Sequence, residues 1–186
     1  MIRALIVASA AAAALLAGPA AEAPPAAEVP ASAVTRVDGI AFLHGGRLTG
    51  TVVERHADGS VRGRTPYLRG VRHGVAEGWH ANGARAYRRA FRSGREHGPH
   101  TAWWEDGRPR LSERFVRGRL EGQAREWFAN GRPYRVFHYL RGKEQGEQRM
   151  WYADGTPRAA YVVRDGRRYG IPGAKGCTGE RNGGGG

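Results

Sequence analysis

Residues 95–118 read REHGPHTAWWEDGRPRLSERFVRG, and the pattern of this stretch recurs along the chain every 24 residues. Three series of glycines carry the repeat: Gly46, Gly70, Gly94, Gly118, Gly142 and Gly166; Gly50, Gly74, Gly98, Gly122, Gly146 and Gly170; and Gly59, Gly83, Gly107, Gly131 and Gly155. A fixed period in this range indicates a tandem array of identical supersecondary units. Such arrays build long surfaces, so the sequence favours binding over a buried catalytic pocket.

Each repeat is predicted to be one β-hairpin. The Asp106-Gly107 dipeptide lies between aromatic and β-branched residues, as in a tight two-residue turn whose central residues both take positive φ. The Gly-x-x-x-Gly segment, Gly94 to Gly98 in this repeat, is expected to lead into the next hairpin. The sequence therefore predicts an all-β fold, an elongated single-layer antiparallel sheet of tandem hairpins with a period of 24 residues.

An aromatic pair precedes most of the Asp/Asn-Gly dipeptides, and the first repeat has Arg55-His56 there instead. Because successive strand residues point to opposite faces, each member of the pair is expected to form a column on its own face. One column is Trp79, Trp103, Trp127 and Trp151, and the other is His80, Trp104, Phe128 and Tyr152. We expect one column to form the core and the second, from His80 to Tyr152, to be partly exposed as a surface for a partner.

The chain is strongly basic, with a formal net charge of +13, and nearly all of the positive charge is arginine. Basic residues recur on both sides of the turn before each hairpin and so are expected along one sheet edge: Arg69, Arg95, Arg117, Arg119, Arg141, Lys143 and Arg167. This ladder is a candidate for binding an acidic protein, an anionic lipid or an envelope polymer. The alternative is a solvated arginine-rich surface without a partner.

Both ends of the chain differ in composition from the array. Residues 1–23 resemble a signal peptide, with an apolar run of about 14 residues that is too short to span a bilayer. Residues 24–41 are rich in Pro and Ala and predict a linker, residues 42–170 the repeat array, and residues 171–186 a Gly-rich tail. Export to the periplasm or envelope of a bacterium is therefore expected, with the signal either cleaved or kept as an anchor.

The array resembles MORN repeats (membrane occupation and recognition nexus), in the bacterial variant of YwqK-type antitoxin proteins. The resemblance covers residues 46–170 and rests on segments such as Gly94–Gly98, Trp103–Gly107 and Phe115–Gly118. It implies a sheet of consecutive hairpins that serves as a binding or scaffold module, and the antitoxin variant implies a neutralised partner protein. The export signal departs from that pattern, since it places a cytoplasmic toxin out of reach and leaves an envelope partner accessible.

No catalytic, cofactor or metal site is predicted. The chain has neither His-Glu-x-x-His nor Gly-x-Ser-x-Gly, and histidines one repeat apart, such as His73 and His97, are too distant to share a metal ion. Export also disfavours nucleic acid as a partner. The lone cysteine, Cys177, lies beyond the last full repeat, and whether it is packed, cross-linked or free stays open. The sequence favours a non-enzymatic protein that binds a partner protein, with peripheral binding of anionic lipid or envelope polymer as the alternative.

Overall fold

The computed structural model of the protein describes residues 27–171, most of which lie in β-strands. The strands are β1 Glu28–Pro30, β2 Val34–Val37, β3 Ile40–Leu43, β4 Gly46–Arg47, β5 Gly50–Arg55, β6 Val61–Leu68, β7 Val71–Arg72, β8 Gly74–Trp79, β9 Arg85–Arg92, β10 Arg95–Trp103, β11 Pro109–Val116, β12 Arg119–Leu120, β13 Gly122–Trp127, β14 Pro133–Leu140, β15 Lys143–Trp151, β16 Pro157–Arg164 and β17 Arg167–Ile171. A single 3-10 turn spans Ala31–Ala33 within this range. No helix of residues 27–171 has the length and apolar character needed to cross a membrane.

A long sheet of consecutive antiparallel hairpins forms the body of the molecule, which confirms the predicted all-β repeat fold. From β5 to β17 the strands lie side by side in chain order, and β7 and β12 extend two of the hairpins. Proline is the first residue of β11, β14 and β16, a position where its missing N–H is tolerated. The Asp/Asn-Gly loops lie along one long side of the sheet, where the strands end, and the turns at the start of the Gly-x-x-x-Gly segments lie along the other. We call these two sides the edges of the array.

The Asp/Asn-Gly loops are not the tight two-residue turns that the sequence predicted. At Asp58-Gly59 only the glycine has positive φ, and the loop has three residues because the His56 N–H donates to the Ser60 carbonyl. The Asp58 carboxylate accepts the Ser60 N–H, which holds the Asp in a right-handed turn. The tight turns with two positive φ values lie instead on the opposite edge, as at Arg117-Gly118 with φ of 52° and 78°.

Residues 28–41, which were expected to be a linker, form strands that cover the first end of the array. β1 pairs in parallel with β5, and β2, β3 and β4 form a separate three-stranded sheet. Val29 and Ala41 are buried with Leu48 and Val52, so this segment belongs to the largest aliphatic cluster found within residues 27–171. The linker prediction was wrong for these residues, because a Pro/Ala-rich composition does not reveal the tertiary contacts that order them.

The most buried column of the array is not one of the aromatic columns. It comprises Val52, Ala76, His100, Ala124 and Gln148, all less than a tenth exposed. Two extra residues in each repeat interrupt the strand pairing beside this column. In two repeats a polar side chain fills the interruption: His100 Nε2 donates to the Ala90 carbonyl at 3.0 Å, and Gln148 exchanges two hydrogen bonds of 3.0 Å with the His138 backbone.

In the alternate repeats, a backbone N–H instead of a side chain binds the carbonyl at the interruption. There the column holds Ala76 or Ala124, and a main-chain N–H donates to the carbonyl that a side chain binds in the other repeats. The Glu121 N–H, for example, donates to the Arg114 carbonyl at 2.9 Å. The donor to this carbonyl therefore alternates between a side chain and the backbone, so the hydrogen-bond pattern has a period of two hairpins although the glycines have a period of one hairpin. The buried polar side chains belong to the fold, because an unpaired carbonyl at these sites would cost stability.

The predicted signal peptide at 1–23, residues 24–26 of the predicted linker, and the Gly-rich tail beyond residue 171 with Cys177 lie outside the described residues.

Candidate functional site

The basic ladder lies along the edge of tight turns, and all seven of its residues are exposed. Arg69, Arg117 and Arg141 each occupy the first position of a two-residue turn, at φ between 51° and 52°. The other four begin the strand that follows a turn: Arg95, Arg119, Lys143 and Arg167. Successive turns stack on each other, since the Gly118 N–H donates to the Glu96 carbonyl and the Gly142 N–H to the Leu120 carbonyl, both at 2.8 Å.

Four of the seven ladder residues line one depression, which we call the arginine cleft. It is formed by Arg95, His97, Val116, Arg117, Arg119, Glu121 and Arg141. None of its arginines forms an ion pair within 4.0 Å with an acidic residue of 27–171. Arg69, Lys143 and Arg167 are not part of the cleft.

The histidine and the carboxylate of the cleft are engaged with the turns. His97 Nδ1 accepts the Arg117 N–H at 3.4 Å, and the Glu121 carboxylate accepts the Arg141 N–H at 2.8 Å. His73 binds the Ser93 N–H in the same way one repeat earlier. The histidines at this repeat position therefore act as hydrogen-bond acceptors for the turns, and the exposed guanidinium groups have no such partner in the cleft.

The second aromatic column lies at the base of the Asp/Asn-Gly loops, on the opposite edge. Its first ring, His80, donates from Nε2 to the Trp103 carbonyl at 3.0 Å, since a carbonyl only accepts. Trp104 follows in the column, and its Nε1–H is buried without an acceptor among the described residues. Phe128 is half-buried and Tyr152 is exposed, so the column is open only in part.

Two residues of this column, Trp104 and Phe128, belong to a depression that we call the aromatic pocket. It is lined by Trp104, Arg110, Leu111, Glu126, Trp127, Phe128, Ala129 and Tyr134. The Phe128 ring meets Tyr134 edge to face at 5.1 Å, and the Arg110 guanidinium lies 5.5 Å from the centre of the Trp104 ring. His80 and Tyr152 are not in the lining. The pocket thus combines an apolar floor with a guanidinium, a phenol and a carboxylate.

Beside the pocket the sheet carries a group of ionisable side chains. Arg135 binds the Glu126 carboxylate through Nε at 2.9 Å and through a second guanidinium nitrogen. Glu113 is nearby, and burial, followed by the negative charges of Glu126 and Glu96, raises the pKa of the Glu113 carboxyl. Within residues 27–171 no three His, Cys, Asp or Glu side chains are grouped as metal ligands would be.

The sequence interpretation missed several residues of the two depressions. Arg110 and Leu111 lie on β11 and Tyr134 lies on β14, opposite the aromatic pairs, and they line the pocket by packing across the strands. Val116 lines the arginine cleft beside the guanidinium groups. The repeat gave little signal for them, because these positions vary from one repeat to the next: Leu111 is replaced by Tyr87 one repeat earlier and by Arg135 one repeat later.

A scan of protein-family models finds none that matches the chain, and a search of curated proteins also finds no match. The resemblance to MORN repeats therefore stays a prediction.

Proposed function

We propose that this protein is a non-enzymatic binding protein of the bacterial envelope, in an immunity-like or scaffold role, and that it binds a partner protein along its repeat surface. The composition of the aromatic pocket supports this proposal. Trp104, Trp127, Tyr134 and Arg110 meet there, and Trp, Tyr and Arg are the residues that dominate the energetic centres of protein interfaces.

The position of the pocket also suits an anchor. It lies in the middle of the array, so strands on both sides are available to surround a partner side chain and exclude water from it. Aromatic side chains with polar tips bury a large area at little entropic cost. A partner bound in this way is expected to stay bound at high salt, since apolar burial is not screened.

The test is a pull-down from the envelope fraction followed by titration of the purified partner by calorimetry. Trp104→Ala and Tyr134→Ala are expected to weaken binding about 30-fold or more, as for residues at an interface centre. Tyr169→Ala is the matched control, because Tyr169 is 54% exposed on β17 and lies outside the pocket. Circular dichroism and thermal melts check that each variant is folded. Equal affinity of folded wild type, Trp104→Ala and Tyr134→Ala would contradict the proposal.

A further inference from the structure

The arginine cleft concentrates positive charge that the described chain does not neutralise. Its four arginines come from three successive turns that stack on each other. Clustered like charges oppose folding unless a counter-charge is present, and no acidic residue of 27–171 lies within 4.0 Å of these guanidinium groups as an ion-pair partner. The one carboxylate in the cleft, Glu121, already accepts a backbone N–H.

Two of the arginines also occupy a backbone conformation that disfavours them. Arg117 and Arg141 both have φ of 52°, in the left-handed region where Gly, Asn or Asp is tolerated better. The last turn of the array has Asp165 at the equivalent position, with φ of 50°. Arginine at these turns therefore costs stability, and such a cost is a reason to look for a function of the side chain.

The charge of the edge is densest at two neighbouring turns, because 117–119 and 141–143 each carry two basic residues whereas 69–71, 93–95 and 165–167 carry one each. One repeat earlier, Val71 and Ser93 occupy the positions of Arg95 and Arg117, and one repeat later Asp165 occupies that of Arg141. A short anionic segment requires only one basic depression, and the cleft brings four of these arginines together in one. Guanidinium groups pair with carboxylates in a bidentate geometry, which adds specificity to the attraction.

We propose that the arginine cleft binds an acidic segment of a protein, with Asp or Glu carboxylates paired to Arg95, Arg117, Arg119 and Arg141. Val116 is 37% exposed in the cleft and provides an apolar contact beside the charges. The proposal rests on the proposed function, since it names the chemistry of one segment of the partner. It adds a second, salt-sensitive contact on the edge opposite the aromatic pocket.

The test uses a fluorescein-labelled twelve-residue peptide (about four Glu, spaced by Gly and Ser), followed by anisotropy at low and high salt. The cleft variant is Arg95→Gln/Arg117→Asn/Arg119→Gln. The matched control, Arg69→Asn/Lys143→Gln/Arg167→Gln, removes the same charge from the same edge outside the cleft. Peptide affinity is expected to fall about tenfold in the cleft variant and to change less than about twofold in the control.

Equal losses in the two triple variants would overturn the inference, because net charge alone would then explain binding. No measurable binding of the peptide to the wild-type protein at low salt would also overturn it. Vesicles of anionic phospholipid are a second arm, and cleft-dependent binding to vesicles without cleft-dependent binding to the peptide would assign the cleft to a membrane instead. The purified partner separates the two proposals: affinity lost in Trp104→Ala but kept in the cleft variant supports the aromatic pocket and rejects the cleft.

Discussion

Replacing Arg117 by Asn is expected to make the protein more stable while weakening the anion binding that we propose for the arginine cleft. Arg117 is the first residue of a two-residue turn and has φ of 52°. An ordinary L-residue in this region costs about 1–2 kcal/mol, and Asn pays less of that cost because it adopts the left-handed region readily. The bond from the residue 117 N–H to His97 Nδ1 does not depend on the side chain and is retained. The free energy of unfolding is therefore expected to rise by about 0.5–1 kcal/mol.

The assay is denaturant unfolding followed by tryptophan fluorescence, with a thermal melt as a second measurement. A gain of this size raises Tm by about 1–4 °C for a domain of this length. Arg119→Asn is the matched control, because it removes the same charge from the same cleft but Arg119 does not have positive φ. Both variants are expected to bind the acidic peptide less tightly, and only Arg117→Asn is expected to gain the turn contribution. If Arg117→Asn is no more stable than Arg119→Asn, the backbone argument is refuted.

Three further predictions concern the fold. Gln148→Ala is expected to lower the free energy of unfolding by about 1–3 kcal/mol in urea titrations, because it leaves buried groups of the His138 backbone unpaired. Gly70→Ala is expected to destabilise the protein more than Gly59→Ala in the same titrations: both glycines have φ of 85°, but a Cβ at residue 70 would meet Ile40 at 2.6 Å while one at residue 59 meets nothing within 4 Å. Glu113→Gln is expected to stabilise the protein at pH 7 and to lose this advantage in acid, as measured by unfolding across pH.

The sign of the Glu113 prediction follows from linkage. Burial raises the pKa of the folded carboxyl above its usual value of 4.5, so the folded state binds the proton more tightly than the unfolded state. The ionised carboxylate is therefore unfavourable at neutral pH, and that penalty disappears as pH falls below the unfolded pKa. An advantage of Glu113→Gln that persisted unchanged at pH 3.5 would contradict this assignment. Equal stabilities of Gln148→Ala and wild type, or of the two glycine variants, would contradict the other two predictions.

The glycine period was sufficient to predict a repeat fold of hairpins, because residues at the same spacing form the same hairpin in each repeat. It was not sufficient to assign the turns. Asp58-Gly59 has the composition of a two-residue turn, yet the His56–Ser60 hydrogen bond closes a three-residue loop. Whether such a dipeptide forms one loop or the other depends on the strand register, which local composition does not specify.

The candidate site was predictable in part for the same reason. The ladder and the second aromatic column follow from spacing, since residues 24 apart occupy equivalent positions. The cross-strand neighbours do not: Arg110 and Tyr134 entered the aromatic pocket from opposite strands, and only four of the seven ladder residues share a depression. His100 and Gln148 were not recognised from the sequence, because it does not show the interrupted strand pairing that buries them against backbone groups.

Hydrogen–deuterium exchange of the protein, free and bound to its purified partner, tests the central claim most directly. The account predicts that the partner slows exchange in residues 103–111 and 126–134, which carry the aromatic pocket. Residues 34–43 of the small N-terminal sheet provide the reference and are expected to be unaffected. Protection confined to that sheet, with unchanged exchange in both pocket segments, would contradict binding along the repeat surface.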